Sequence, residues 1–105
     1  MQLSNEWREF ERRREGMVHA MNGGLWLHRF VLWEEDMAHL VSSNRDLLVE
    51  AGRLLGMSER WLQYKPLKHP VRDRRMDAWH WDLRGSYLEL GLRFAAPKAP
   101  AAPHR

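Results

Sequence analysis

The chain has 105 residues and a mass of 12.6 kDa, enough for a single domain with one modest hydrophobic core. Its 44% hydrophobic and 30% charged residues exclude a disordered chain, and the lack of cysteine excludes disulfides and thiolate chemistry. No run reaches the roughly 18 apolar residues of a membrane span. The N-terminal region contains acidic residues at the positions where a signal peptide has its apolar segment. We therefore expect a cytoplasmic protein with no membrane partner.

The basic residues are mostly arginine. The formal net charge is +3, and only Lys65, Lys68 and Lys98 among the 17 basic residues are lysine. Arginine binds phosphate bidentately, and the six tryptophans supply rings that stack on bases or cations. This composition favours a ligand with a phosphate and an aromatic ring, although coding bias and core packing explain it equally well.

In chain order, residues 1–24 are predicted to form an N-terminal helical segment. Ser4 or Asn5 can cap a helix that starts at residue 6. The acidic residues near its start would interact favourably with the positive end of the helix dipole. Trp7 and Phe10 would then form a thin apolar stripe, and a pair of glycines ends the segment.

A compact core is predicted over residues 25–95, and it opens with a β-hairpin. Residues 25–33 are dense in large apolar side chains and fit a buried strand. Residues 34–36 are all acidic and fit a turn, after which residues 37–41 fit a second strand.

The clearest predicted element is the helix that follows the hairpin. Ser43 is a suitable N-cap, and Gly56 stands where a left-handed C-cap belongs. A short turn capped by Ser58 comes next and carries Trp61 and Gln63. The apolar residues of the helix share one face: Leu47, Leu48, Ala51, Leu54 and Leu55.

The rest of the chain is predicted to form a basic loop, a strand, a helix and a tail. Two prolines break regular structure in the loop over residues 64–78. Residues 79–83 fit a strand, residues 86–94 fit a last helix, and residues 96–105, rich in Pro and Ala, fit a disordered tail. The sequence thus predicts a small single α+β domain, with short antiparallel strands packed by two or three helices.

His80 and Asp82 form the first candidate constellation. Residues i and i+2 of a strand point to the same face, so the two side chains would project together while the flanking tryptophans point into the core. A paired imidazole and carboxylate can act as a general base or supply two metal ligands, and His39 would join them if its strand pairs nearby. A structural hydrogen bond, or Asp82 as a helix cap, is the more common use of such residues.

The histidine spacing does not predict a zinc site. No two histidines have the H-x-x-x-H spacing, and no cysteine completes a ligand set. We therefore predict no metal and no other cofactor. A divalent metal held by one or two carboxylates stays open, because such sites leave little trace in a sequence.

The stretch over residues 60–75 is the second constellation. It carries six basic residues against one acid, with aromatic residues between them. We expect Arg72, Arg74 and Arg75 to hold phosphate while Trp61 stacks on a ring. A solvated surface loop is the alternative.

Several short motifs together resemble a known family. They are the run Ala38-His39-Leu40-Val41-Ser42, a leucine-rich helix ending in Leu55-Gly56, Trp61 with Gln63, and His80-Trp81-Asp82-Leu83 before a final helix. In order and spacing they resemble domain of unknown function 4031, a family of small proteins of bacteria and their phages, over about residues 37–96.

The resemblance implies the same fold and a phage-associated origin. The chain departs from the family pattern at Ser43, where the family has Asp, and at Tyr87 and Leu88, where the family has a Lys-Arg pair. The resemblance marks five residues as functional: His39, Trp61, Gln63, His80 and Asp82.

The leading functional hypothesis is a non-enzymatic binding protein. Its ligand would be a nucleotide, a cyclic nucleotide signal or nucleic acid, and a phage protein of this kind would act against host defence. Trp61 would stack on the ring, and Gln63 and His80 would contact its polar edges beside His39.

Two other classes remain open. One is a metal-assisted phosphoester hydrolase, in which His80 acts as base or ligand, Asp82 orients it and His39 assists. The other is a protein-interaction inhibitor that binds a host protein or a second copy of the chain. Its surface would use aromatic residues exposed to solvent: Trp7, Phe10, Trp26 and Trp33.

Overall fold

A six-stranded mixed sheet forms the centre of the protein in the computed structural model, which describes residues 6–99. The order in the sheet is β4-β7-β3-β2-β1-β8, and β5 and β6 pair separately as a short hairpin. The strands are β1 (Trp7–Phe10), β2 (Leu25–Leu32), β3 (Glu35–Ser42), β4 (Gln63–Tyr64), β5 (Leu67–Lys68), β6 (Arg75–Met76), β7 (Trp79–Arg84) and β8 (Ala96–Ala99). The helices are α1 (Arg13–Met21), α2 (Arg45–Leu55) and α3 (Gly85–Phe94), with a 3-10 turn at Glu59–Trp61. The prediction of a small α+β domain is confirmed.

The central strands β2, β3 and β7 are antiparallel and bury one face of the sheet. Trp81 lies at the centre of this face, where its indole Nε1 donates a hydrogen bond to the carbonyl oxygen of Leu48 at 2.8 Å. Gly52 of α2 allows the close approach, since a Cβ there would overlap the Trp81 ring. Helices α2 and α3 cover this core face, whose strand residues are Leu25, Leu27, Ala38, Leu40, Trp81 and Leu83.

The β2–β3 hairpin is confirmed, but its turn lies one residue earlier than predicted. Leu32 pairs with Glu35, so the two-residue loop is Trp33-Glu34, with φ angles of +48° and +66°. Both values lie in the left-handed region that suits a tight hairpin with twisted strands. Trp33 is therefore in the loop, 93% exposed, rather than at the end of a buried strand.

Helix α2 is confirmed, but a different residue caps it. The side chain of Asn44 accepts a hydrogen bond from the Leu47 amide, so Asn44 rather than Ser43 is the N-cap. The Ser43 hydroxyl instead donates to the carbonyl oxygen of Ala20 at 2.9 Å, which ties the end of β3 to α1. Gly56 is the left-handed C-cap, as predicted.

The N-terminal segment differs from the predicted helix. Trp7–Phe10 is a strand that pairs in parallel with β2, and helix α1 follows it at Arg13–Met21. The reason is the Trp7 ring, which is fully buried against Phe94 at a centroid distance of 5.6 Å. A peripheral helix with a thin apolar stripe would leave this ring in water. The proposed caps at residues 4 and 5 lie outside the described residues.

The predicted tail also begins with structure. Ala96–Ala99 forms strand β8, which pairs in parallel with β1 at the edge of the sheet. An edge strand can accommodate Pro97, because one side of it needs no partner for a backbone N–H group. Residues 100–105, the rest of the predicted tail, lie outside the described part of the chain.

The second face of the sheet is only partly covered. Helix α1 packs on it through Gly16, where a Cβ would overlap the Trp26 indole. Together with the β5–β6 hairpin, α1 encloses a small second core of Ala20, Met21, Trp26, Val41 and Ala78. The remainder of this face stays open, and we call it the site face.

The predicted basic loop contains the β5–β6 hairpin, and a buried histidine anchors it. His69 is 2% exposed, and its Nε2 lies 2.9 Å from the Asn22 side-chain oxygen. Its Nδ1 accepts hydrogen bonds from the backbone N–H groups of Val71 and Arg72, at 3.1 Å each.

Among residues 6–99, no helix has both the length and the apolar character to cross a bilayer.

Candidate functional site

Strand register assembles a polar cluster on the site face. His39 of β3 lies directly opposite Asp82 of β7, and His80 lies two residues before Asp82 on the same face. Gln63 of β4 lies opposite His80 on the other side of β7. Side chains from three neighbouring strands therefore meet at Asp82.

The distances show that Asp82 is the centre of this cluster. His39 Nε2 lies 3.1 Å and His80 Nε2 lies 3.4 Å from the same oxygen, Asp82 Oδ1. The other oxygen, Oδ2, accepts a hydrogen bond from Gln63 Nε2 at 2.5 Å. One donor atom from each of His39, His80 and Asp82 lies within 4.8 Å of the other two, close enough to hold a metal ion.

The imidazoles of the cluster are biased toward the neutral form. Burial lowers the pKa of His80, and the positive charge of Lys65 adds to this, while Asp82 opposes it. Burial also lowers the pKa of His39, and the neighbouring His80 lowers it further. Both rings are therefore largely uncharged near pH 7, the form that accepts a proton or binds a metal.

The cluster lies in a cleft of about 440 Å³ between the site face and α1. Two basic side chains line it, Arg13 from α1 and Lys65 from the segment after β4. Aromatic residues line the side of the cleft near β2: Trp26 stacks on His28 at a centroid distance of 4.7 Å, and Phe30 packs on His39 at 4.5 Å.

A second cleft of about 620 Å³ lies on the other side of Asp82. Gln63 and Asp82 line both clefts, so the two adjoin at these residues. We call the pair the Asp82 groove. The second cleft adds two arginines and two aromatic rings: Arg60, Arg84, Trp61 and Tyr87.

The structure brings together most of the residues singled out from sequence. His39, His80, Gln63 and Asp82 form the cluster, and Trp61 lines the adjoining cleft. The predicted phosphate-binding arginines are elsewhere. They lie at exposed positions on the β5–β6 hairpin and its loop and, within the described chain, line neither cleft of the groove: Arg72, Arg74 and Arg75.

Two of the basic residues that line the groove, Arg60 and Lys65, belong to the predicted basic stretch, but nothing in the sequence separates them from their neighbours. The other two, Arg13 and Arg84, were not predicted. Arg13 comes from α1, whose position depends on the contact between Gly16 and Trp26. His28 was also missed, although its place opposite His39 follows once the hairpin register is known.

The proposed surface of exposed aromatics is wrong for two of its members. Trp7 and Trp26 are buried, at 0% and 3% exposure. Each fills space beneath a helix, as large rings do in small cores. Trp33 is the exposed tryptophan of that group, at the tip of the β2–β3 hairpin.

Comparisons of the chain with protein-family models, with curated proteins and with solved structures find no match. The resemblance to domain of unknown function 4031 therefore stays a prediction based on short motifs.

Proposed function

We propose that the Asp82 groove binds a ligand that carries phosphate and an aromatic ring, such as a nucleotide or a short single-stranded nucleic acid. The observation that carries this proposal is that the two clefts adjoin at Gln63 and Asp82. Basic side chains line it on both sides of Asp82, and an exposed tryptophan lies in one half.

The charge distribution supports an anionic ligand. Arg13 and Lys65 lie in one half of the groove, and Arg60 and Arg84 lie in the other. Arg84 is also 3.5 Å from Glu35 in an exposed ion pair, which is weak enough to exchange for a phosphate contact. A phosphate group on either side of the cluster would therefore lie near a basic side chain.

Trp61 supports an aromatic group in the ligand. Its side chain is 45% exposed, so it has free surface for stacking. Tyr87 meets it edge-on, at 75° and 6.2 Å between centroids, and so supports the indole without lying parallel to it. Stacking of a base on an aromatic side chain contributes about 1–3 kcal/mol.

Hydrolysis of the bound phosphoester is the second candidate function. It is favoured by the two imidazoles beside Asp82, because groups of this kind accept a proton from water or hold a metal that activates it. Analysis of the ligand after incubation distinguishes the two candidates, since binding alone returns it intact.

A ligand titration with matched variants tests the proposal. Mononucleotides, cyclic nucleotides and short oligonucleotides are titrated against the protein, with thermal unfolding as readout. Trp61→Leu and Lys65→Gln should weaken binding. Two variants serve as controls. Trp33→Leu removes another exposed indole, and Arg74→Gln removes a positive charge outside the groove. Both variants should bind the ligand as the unaltered protein does.

The expected stabilisation is large enough to measure. A ligand at one hundred times its dissociation constant adds about 2.7 kcal/mol to the free energy of unfolding. No stabilisation by any member of the panel would contradict the proposal. Equal losses in Arg74→Gln and Lys65→Gln would show that the anion binds outside the groove.

A further inference from the structure

One donor atom from each of His39, His80 and Asp82 lies within 4.8 Å of the other two. The geometry points to a divalent first-row transition-metal ion bound by His39 Nε2, His80 Nε2 and Asp82 Oδ1. This inference does not depend on the phosphate ligand, because the three donors come from the protein alone.

The separations between the donors fit metal coordination. Ligand atoms about 2.0–2.1 Å from a tetrahedral ion lie about 3.3 Å from one another. The two nitrogen-to-oxygen distances in the cluster are 3.1 and 3.4 Å, and the donor atoms of all three residues lie within 4.8 Å of one another. The two nitrogen-to-oxygen distances therefore match those expected of two ligands of one ion.

The sheet holds the donors in place before any ion binds. His39 and Asp82 are opposite residues in the β3–β7 ladder, and His80 is fixed by the same strand as Asp82. Gln63 holds Asp82 through Oδ2, which leaves Oδ1 toward the imidazoles. Outer hydrogen bonds of this kind orient the ligands of metal sites and stabilise the bound ion.

The chemistry of the donors selects the class of ion. Calcium and magnesium prefer shells made of oxygen, whereas imidazole suits zinc, iron, copper and nickel. Two histidines and one carboxylate form the ligand set of catalytic zinc sites and of non-haem iron(II) sites. Such a set leaves coordination positions open for water or a substrate oxygen.

The surroundings of the cluster explain what those open positions would bind. Lys65 and Arg13 line the same cleft, and their positive charges attract an anion that can share the ion with the protein. His39 and Asp82 are each about two-fifths exposed, at 38% and 41%, so water reaches the cluster from the cleft.

The sequence shows only part of this site, because His80 and Asp82 are two residues apart whereas His39 lies far from them in the chain. Zinc motifs are recognised by ligands a few residues apart, whereas residues 39 and 80 come from different strands that meet only in the folded sheet. The contribution of His39 depends on the β3–β7 register, which no short motif encodes.

A metal titration without any nucleotide tests the inference. Protein without a histidine tag is stripped with a chelator and titrated with Zn²⁺, Co²⁺ and Mn²⁺, with a chromophoric chelator as competitor. We expect one ion per chain and an increase in the unfolding temperature. Asp82→Asn preserves the size of the side chain and should weaken binding at least about tenfold.

A matched variant keeps the test specific. Asp77→Asn removes a carboxylate that accepts a hydrogen bond from Tyr64 and lies outside the donor cluster. This variant should bind the ion as the unaltered protein does. The inference is overturned if none of the three ions binds, or if Asp77→Asn loses as much affinity as Asp82→Asn. Because no nucleotide is present, this outcome is independent of the phosphate proposal.

Discussion

His39 and Asp82 lie opposite each other on adjacent antiparallel strands, with His39 Nε2 3.1 Å from Asp82 Oδ1. The same register that joins them sets Leu40 against Trp81 in the core. A slip of one residue would turn the apolar side chains of either strand to the open face. The packing of the core therefore fixes the geometry of the polar cluster.

Gln63→Leu should weaken metal binding without unfolding the protein. The change removes the hydrogen bond to Asp82 Oδ2, so the carboxylate is no longer held toward the imidazoles. Loss of an outer hydrogen bond of this kind lowers metal affinity by about 10–100-fold. A Zn²⁺ competition titration measures the effect. Tyr64→Phe, which removes a hydroxyl from the next residue, is the control and should bind the ion normally.

His69→Ala should release the β5–β6 hairpin. The imidazole accepts hydrogen bonds from two backbone N–H groups and contacts the side-chain oxygen of Asn22. Alanine would leave the two N–H groups and the Asn22 oxygen without these partners. A buried polar group without a partner costs about 1–3 kcal/mol. Amide hydrogen exchange should accelerate at residues 67–76, while β3 and β7 keep their protection. Unchanged exchange in the hairpin would show that His69 does not anchor it.

Replacing the turn Trp33-Glu34 with Asn-Gly should stabilise the protein. Both residues have positive φ angles, and neither has the side chain that favours this conformation. Relief of the strain should add about 1 kcal/mol to the free energy of unfolding, which is roughly 4–8 °C for a domain of this size. Trp33→Ala keeps the strained backbone and should not raise the melting temperature. A decrease in the Asn-Gly variant would show that the exposed indole stabilises the fold.

Acidification should destabilise the metal-free protein. Burial lowers the pKa of His39 and of His80 below the ordinary value of 6.5, so the unfolded chain binds more protons than the folded one in this range. The free energy of unfolding should fall as the pH drops through about 6.5 and continue to fall down to the lower pKa values of the folded state. Asp82 opposes this effect, whereas Lys65 adds to it.

Denaturant unfolding at a series of pH values measures this dependence. A variant with both imidazoles replaced, His39→Asn with His80→Asn, should lose less stability over the same pH range. An identical pH dependence in the variant and the unaltered protein would show that other groups cause the loss.

Local patterns predicted the parts of the fold that depend on neighbouring residues. The alternation from Trp79 to Leu83 gave the correct faces of β7, and this alone placed His80 beside Asp82. The left-handed C-cap at Gly56 was also predicted from the sequence, because few residues other than glycine adopt that conformation.

The missed parts depend on pairing between distant segments. Strand β1 is four residues long and is stabilised by partners near residues 25 and 96, so its own sequence carries no strand signal. The contribution of α1 to the groove was missed for the same reason. Arg13 lines the cleft because α1 packs closely on Trp26 through Gly16.

Anomalous diffraction from crystals grown with Zn²⁺ is the decisive test of the metal site, because it locates the ion instead of inferring it from affinity. We expect one peak at the zinc edge, about 2.0–2.2 Å from His39 Nε2, His80 Nε2 and Asp82 Oδ1. The peak should disappear in crystals of Asp82→Asn. A peak elsewhere on the chain, or an empty cluster at a zinc concentration that saturates the protein in solution, would show that these three side chains do not bind the ion.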